Sequence, residues 1–257
     1  MAQQKSKARI YVTDDLESGG TVSPSRDQAH YLSRVMRLVP GDAVVLFNGR
    51  HGEWWGTVHS IAKNSCTLSL GDQIRQQVDE ADLWLAFAPL KKSRTDFLVE
   101  KATELGATRL TAVFTDHTDT GRVKTERLAQ VATEAAEQCE RLTIPEICGP
   151  LSLNDLIATW PEGRLLLIAD ETGGGQPIGE LAASLRKPGT HGRPAVGLLV
   201  GPEGGFSRSE LDELKKLPFS MFIGLGPRIL RAETAAIAAL ACIQSLIGDW
   251  HRRPRSG

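Results

Sequence analysis

Three stretches of the chain place glycine, carboxylate and arginine residues directly after short apolar runs. Leu165–Ala169 leads into Asp170-Glu171-Thr172-Gly173-Gly174-Gly175, and Val196–Val200 into Gly201-Pro202-Glu203-Gly204-Gly205-Phe206-Ser207. Ser220–Leu225 leads into Gly226-Pro227-Arg228-Ile229-Leu230-Arg231. Continuous apolar runs of this kind read as buried parallel strands. In open α/β sheets, ligands bind outside the carboxyl ends of the strands. Glycine lets the backbone approach a ligand, and its amides can meet an adenine or a carboxylate without any side chain. A strand or helix cap would account for one such loop. Three of them, each after a buried strand, point to one shared site for a nucleotide-like cofactor, centred on Gly201–Gly205.

The common nucleotide motifs do not supply that site. There is no GxxxxGK[ST] phosphate loop. Gly173, Gly174 and Gly175 do not continue into GxGxxG because position 178 is Ile, and Gly224 and Gly226 fail in the same way at Ile229. A Rossmann dinucleotide site is therefore disfavoured. Neither a GxSxG nucleophile elbow nor HExxH occurs, and the six histidines are scattered. Cys66, Cys139, Cys148 and Cys242 form no CxxC pair and have no zinc-ligand spacing, so no metal is expected. They read as reduced, mostly buried thiols.

The elements that must position these loops fall into two textures. Residues 9–74 look β-rich: strands at Arg9–Val12, Ala43–Phe47, Trp54–Ile61 and Ser65–Leu70, with Asn48-Gly49 as a hairpin signal. One helix, Asp27–Leu38, interrupts them, and the whole suggests a small barrel. From Ala81 onward, strands and helices alternate. Strands are expected at Leu83–Ala88, Leu110–Phe114, Leu165–Ala169, Val196–Val200 and Ser220–Leu225. Helices are expected at Ser93–Leu105, stopped by Gly106; Thr125–Leu142, with Leu128, Val131, Ala132, Ala135 and Cys139 as its apolar stripe; Ser207–Leu217, with Ser207 and Glu210 as a capping box; and Ala232–Ile247. This pattern predicts an α/β domain with a largely parallel sheet. The linker falls near Asp72–Asp82, which divides the chain into residues 1–74 and 75–257.

Composition narrows the class further. The chain has 257 residues, 41 % of them hydrophobic, which is ample for one large or two smaller domains. No run of 18 apolar residues occurs and the first residues lack the apolar stretch of a signal peptide, so a cytoplasmic protein without membrane contact is expected. The net charge of −1 offers no bulk attraction for a polyanion. A nucleic-acid partner must be met by local patches. Basic clusters occur at Lys5, Lys7 and Arg9; at Arg26, Arg34 and Arg37; at Lys91, Lys92 and Arg94; and at Arg252, Arg253 and Arg255. Solvated surface charge is the ordinary alternative for each.

Two long segments are more specific. VGPEGGFSRSE (Val200–Glu210) and LGPRILRAETAAIAAL (Leu225–Leu240) together resemble the ribosomal RNA small subunit methyltransferase E family of the SPOUT class. LKKSRTDFLVEKATELGA (Leu90–Ala107), TEAAEQCER (Thr133–Arg141) and HYLSRVMRLVPGD (His30–Asp42) extend the resemblance over nearly the whole chain. The resemblance implies a PUA-like RNA-binding domain followed by a SPOUT-type domain with a trefoil knot. It also implies S-adenosylmethionine as cofactor, methylation of uridine N3 in 16S ribosomal RNA or the small ribosomal subunit, and a homodimer.

Residue roles follow from the same resemblance. The cofactor loops would be Gly201, Pro202, Glu203 and Gly204, and Leu225, Gly226, Ile229, Leu230 and Arg231, with Thr172 and Gly173 below them. Leu225, Ile229 and Leu230 would pack on the adenine. Transfer to uracil N3 requires loss of a proton and stabilisation of the uracilate. Glu203 is the leading carboxylate, with the ordering of amides in its own loop as its structural alternative. Arg228 and Arg94 would serve the reacting centre, though Arg228 and Arg231 could instead bond loop carbonyls. Glu233 would favour its helix N-terminus. Arg26, His30, Arg34, Arg37 and Arg50, together with Gln138 and Arg141, would meet RNA. A non-catalytic RNA-binding assembly factor of the same fold is the alternative from another class.

Overall fold

The computed structural model describes residues 6–170, 172–185 and 194–252. Lys5, Glu171, Arg253 and Arg255, named above, lie outside the described residues. The chain divides into two compact units, Met1–Asp79 with Ala136–Ile144, and Glu80–Ala135 with Pro145–Gly257. No helix among the described residues is long and apolar enough to cross a membrane.

The first unit contains β1 (Ala8–Tyr11), β2 (Thr21–Val22), α1 (Arg26–His30), β3 (Ala43–Phe47), β4 (Glu53–Ala62) and β5 (Ser65–Arg75). They form one sheet in the order β1-β3-β4-β5-β2, with β1 parallel to β3 and the other pairs antiparallel. Ile10, Val44, Leu46, Val58, Leu68 and Leu70 close on Ala29 and Leu32 to make the core. The hairpin expected at Asn48-Gly49 forms, but its loop runs from Asn48 to Gly52 because β3 and β4 pair only up to Phe47 and Glu53. The buried Asn48 side chain sets that length: its Oδ1 accepts from Arg50 N (3.0 Å) and His51 N (2.8 Å).

The expected helix Asp27–Leu38 is shorter and less regular. Ser25 and Gln28 form a capping box, α1 ends at His30, and Tyr31–Val35 continues as a π-helical turn closed by Met36 N donating to Tyr31 O at 3.0 Å. Leu32 and Leu38 are both buried, although six residues apart they would face different sides of a regular α-helix. The wide turn, followed by Arg37 at φ 54°, reconciles them.

The second unit contains β6 (Leu83–Phe87), α2 (Lys92–Glu104), β7 (Arg109–Phe114), α3 (Thr125–Gln138, whose last turn belongs to the first unit), β8 (Glu146–Ser152) and α4 (Leu153–Ala158). It continues with β9 (Leu165–Ala169), β10 (Gln176–Pro177), α5 (Ile178–Leu185), β11 (Val196–Val200), α6 (Arg208–Lys216), β12 (Ser220–Gly224) and α7 (Ala232–Leu246). The sheet is parallel at every pairing, in the order β10-β12-β9-β11-β6-β7-β8. One face carries Ala86, Val113, Ile168 and Leu199 against Leu153 and Leu156 of α4 and Leu214 of α6. Helix α7 packs on β9 and β11, and α2 and α5 pack on α7. Side chains alternate along each strand, so both sheet faces are covered and the strands read as unbroken apolar runs. The sequence reading missed β8, since Gly149-Pro150 inside a run argues against a strand. This is an edge strand, and its pairing with β7 shifts register between Thr111 and Val113 to accommodate the dipeptide.

Helix α3 ends at Gln138, four residues before the expected Leu142, and Glu140 takes φ 59°. Within the first unit, half-buried arginines collect the carbonyls this ending frees. Arg9 donates to Ala136 O (2.8 Å) and Arg141 O (2.7 Å), and Arg75 donates to Glu140 O at 2.6 Å. Arg9 lies over the Phe47 ring at 3.8 Å and donates to Glu53 at 2.7 Å, while Arg75 Nε stands 3.0 Å from the other Glu53 oxygen. Burial pulls the Arg9 guanidinium below its ordinary range and its bond to Glu53 pushes back. These contacts, with Phe47 packing on Ala136 and Leu142, explain why residues 136–144 belong to the first unit.

All four cysteines are free thiols. Only Cys66 is fully buried; Cys148 and Cys242 are half-buried and Cys139, expected on the apolar stripe of α3, is exposed beyond its end. Burial pushes the Cys66 and Cys148 thiols up, away from reactive thiolate.

Candidate cofactor-binding and active site

Strands β9, β11 and β12 are neighbours in the sheet, in the order β12-β9-β11. Their carboxyl ends therefore release the three glycine-bearing loops side by side. The loops and the first turn of α7 enclose a cleft of about 550 Å³, a volume suited to one nucleotide-sized ligand. Its apolar lining includes Ala169, Val200, Ile223, Leu225, Ile229 and Leu230, and its carboxylates among the described residues are Asp170 and Glu203.

Of the expected cofactor residues, Gly173, Gly201, Pro202, Glu203, Leu225, Gly226, Ile229, Leu230 and Arg231 line the cleft, as does Arg228. Thr172 and Gly204 are not in the lining. Thr172 turns back on Asp170, donating its N to Oδ1 at 2.9 Å and its hydroxyl to Oδ2 at 2.7 Å. Gly204 faces His117 instead. Asp170, Gly175, Pro177 and Gly224 are lining residues that the sequence reading did not single out. The signal was present in the glycines: a Cβ on Gly175 would stand 2.4 Å from the Ile223 carbonyl carbon, so β10 can pair with β12 there only without a side chain.

The Gly201 loop is held from several sides. Pro202–Gly205 is a turn closed by Gly205 N donating to Pro202 O at 3.0 Å, with Gly205 at φ 68°. Ser207 caps α6 in the expected capping box, and Glu210 Oε2 accepts from Ser207 N at 2.7 Å. The loop after β7 braces this one: Asp116 N donates to Glu210 Oε1 (2.8 Å) and Ser207 Oγ donates to Asp116 at 2.6 Å. The buried Glu210 carboxylate is thus satisfied at both oxygens.

Arg94, from the first turn of α2, does not line the cleft but reaches its wall. Its Nη1 donates to Glu203 Oε1 at 2.9 Å, and its Nε lies 3.7 Å from Glu233 Oε1 in the first turn of α7. Glu233 Oε2 is buried with no hydrogen-bond partner among the described residues. Glu233 therefore does more than favour a helix end: it is the second carboxylate on Arg94. Arg228 and Arg231 are exposed, and neither has an ion-pair partner among the described residues. No group of His, Cys, Asp and Glu that could hold a metal occurs among the described residues.

The expected RNA residues separate by exposure. Arg26, His30 and Arg34 follow one another at four-residue spacing and are all exposed, as is Arg37. Arg50 is tied to Asp15 Oδ1 at 2.9 Å and to Thr13 O at 3.1 Å. Gln138 is exposed at the end of α3. Arg141 lies past the helix end, 8 % exposed, with Nε donating to Thr143 Oγ1 at 3.1 Å and its own carbonyl on Arg9. The early end of α3 turns it inward within the first unit.

Residues 78–244 match the model of the RNA methyltransferase domain, and residues 24–71 match that of the RNA methyltransferase PUA domain. The ribosomal RNA small subunit methyltransferase E of Rickettsia conorii is 34 % identical over 239 residues, covering 93 % of this chain and 95 % of that protein. The chain belongs to the ribosomal RNA small subunit methyltransferase E family. The family member of a Synechocystis species is 31 % identical, over 93 % of this chain and 78 % of its own length. The crystal structure of the Neisseria gonorrhoeae family member bound to S-adenosylmethionine superposes with a TM-score of 0.80 at 25 % identity, covering 95 % of this chain and 99 % of that one. The parallel sheet with a PUA-like first unit is the fold of that family.

Proposed function

We propose that the protein is an S-adenosylmethionine-dependent methyltransferase acting on N3 of a uridine in 16S ribosomal RNA. The observation that carries this reading is the cleft at the ends of β9, β11 and β12. Its volume, apolar lining and glycine-loop backbone suit an adenosine, and the carboxylates of Asp170 and Glu203 suit a cationic ligand. A family relative was solved with S-adenosylmethionine bound. That cofactor, when bound, supplies a methyl group on a positively charged sulfur.

The chain's own residues must hold the acceptor in line and manage its proton. Leu225, Ile229 and Leu230 pack on the adenine, and amides of Gly201, Gly226 and Leu230 serve its polar edge. Of the two carboxylates in the lining among the described residues, Asp170 is committed to Thr172 at both oxygens. Glu203 uses only Oε1, on Arg94. Glu203 is therefore the group that receives the N3 proton, directly or through water. Arg94, oriented by Glu203 and Glu233, stabilises the negative charge left on the uracil, and Arg228 holds the adjoining phosphate. Arg26, His30, Arg34 and Arg37 form the RNA-binding face of the first unit, and Gln138 and Arg50 are further contacts. Residues 1–74 act as the RNA-binding domain and 75–257 as the transferase. The reading includes a trefoil-knotted transferase unit, a homodimer and a cytoplasmic location.

The decisive experiment is methylation of ribosomal RNA from cells lacking this protein, with mass-spectrometric mapping of the modified base. N3-methyluridine in 16S RNA is expected. A methyl group on another atom or base would overturn the assignment, and saturable cofactor binding without transfer would favour the assembly factor.

Arg94→Ala should lower kcat about 100-fold, the scale of losing one group that stabilises developing charge. The Kd for S-adenosylmethionine should change less than about 3-fold, because Arg94 stands outside the cleft lining. Equal losses in kcat and cofactor affinity would make Arg94 a binding residue instead.

A further inference from the structure

We propose that His117 is a positioning residue of the transfer site, which holds the Pro202–Gly205 turn through the Nδ1–H of one fixed imidazole tautomer. The inference rests on the reading that the cleft beside this turn is where methyl transfer takes place. His117 Nδ1 lies 3.0 Å from Gly204 O and 3.1 Å from Gly205 O. Both partners are carbonyls and can only accept, so Nδ1 carries the proton and donates to both. In the neutral ring that leaves the lone pair on Nε2.

The contact is built from both sides. His117 sits in a turn where Thr118 N donates to Thr115 O at 3.1 Å and Thr115 N donates to Thr118 Oγ1 at 3.0 Å. On the other side, a Cβ on Gly204 would stand 3.1 Å from His117 Cβ, so the histidine packs directly on the glycine backbone. The neighbouring Asp116 is anchored to Ser207 and Glu210. The Pro202–Gly205 turn is therefore closed internally by its own backbone bond and externally by His117. Glu203 stands inside that turn, and its direction toward Arg94 depends on where Gly204 and Gly205 point. His117 thus acts on the reacting groups through the loop and not by touching them.

His117 is exposed, so removing its ring lets water reach the two carbonyls. The expected loss is order in the loop, with little effect on the melting temperature. Three variants of the full chain separate the roles of the two ring nitrogens. In His117→Asn the side-chain amide nitrogen takes the place of Nδ1 and can donate to the same carbonyls. In His117→Gln the amide lies one methylene farther out, near the place of Nε2, and the carbonyl bonds are lost. In His117→Ala both are lost.

Isothermal titration with S-adenosylmethionine and single-turnover methyl transfer to ribosomal RNA are measured for each variant beside the unchanged protein. His117→Ala and His117→Gln should each lose about 10-fold in transfer rate, the scale of two modest hydrogen bonds. His117→Asn should recover to within about 3-fold of the unchanged protein, with melting temperatures of all three within about 2 °C of it. Full activity in His117→Ala, or an Asn variant as slow as the Ala variant, would overturn the positioning role through Nδ1; a slow Asn variant beside an active Gln variant would assign the function to Nε2. An unchanged protein that binds no S-adenosylmethionine would overturn the cofactor reading itself, which is a different outcome from any of these.

Discussion

Gly201→Val should lose at least about 100-fold in affinity for S-adenosylmethionine while the first unit keeps its fold. Gly201 lies at the end of β11 and lines the cleft. A Cβ placed there would already stand 3.0 Å from Phe206 Cε2 and 3.2 Å from Cζ. Phe206 is 7 % exposed and packs in the core under the sheet, so the ring has little room to withdraw. The two additional methyl groups of valine must enter the cleft or displace the loop, and overpacking of this kind costs about 1–3 kcal/mol even in ordinary cores. Gly201→Ala is the graded control: its single methyl asks the ring to give by a few tenths of an ångström, and about 10-fold weaker binding is expected. Isothermal titration reads both affinities, and hydrogen exchange in β3 to β5 reports the first unit. Undiminished affinity in the valine variant would move the cofactor away from this loop.

Glu53→Ala should destabilise the first unit by about 3–5 kcal/mol, the range seen when one partner of a buried ion pair is removed. The Glu53 carboxylate has a side-chain exposure of 2 % and faces two guanidiniums, Arg9 with a side-chain exposure of 10 % and Arg75 at 26 %. Without it, two like charges remain together in a poorly solvated place. Both arginines also hold the carbonyls after α3, so residues 136–144 should lose protection along with β1 and β4. Urea unfolding and hydrogen exchange are the measurements. A change under about 1 kcal/mol, with residues 136–144 still protected, would show that Glu53 is dispensable and that apolar packing of Phe47, Ala136 and Leu142 suffices.

The two predictions differ in how far the sequence could carry them. Gly201 stood out because a glycine after a buried run has a local meaning, and the same holds for the capping box of Ser207 and Glu210. Strands β9 and β11 begin and end where their apolar runs do, since burial on both faces leaves no polar position to blur the boundary. Glu53 had no such signal. It lies beside Trp54 at the start of a strand, and only tertiary contact shows that its partners are 44 and 22 residues away. The early end of α3 is the same kind of fact. An apolar stripe continuing through Cys139 favoured a longer helix, but guanidiniums from β1 and β5 compete for its carbonyls, and local propensity yields to them.

At the candidate site, the sequence by itself determined the three loops, their attachment to buried strands and, through two long motifs, the family. These are properties of residue type and short spacing, and such properties are local. The tertiary structure decided which loops are neighbours, because the order β12-β9-β11 is not the order of the chain. It also decided that Arg94 meets Glu203 across 109 residues and that His117 meets Gly204 across 87. Both contacts are made by polar side chains, Arg94 in the first turn of α2 and His117 in a loop, and no hydrophobic period marks such a partner. The inward direction of Arg141 has the same origin: it was set by a helix ending that long-range hydrogen bonds imposed.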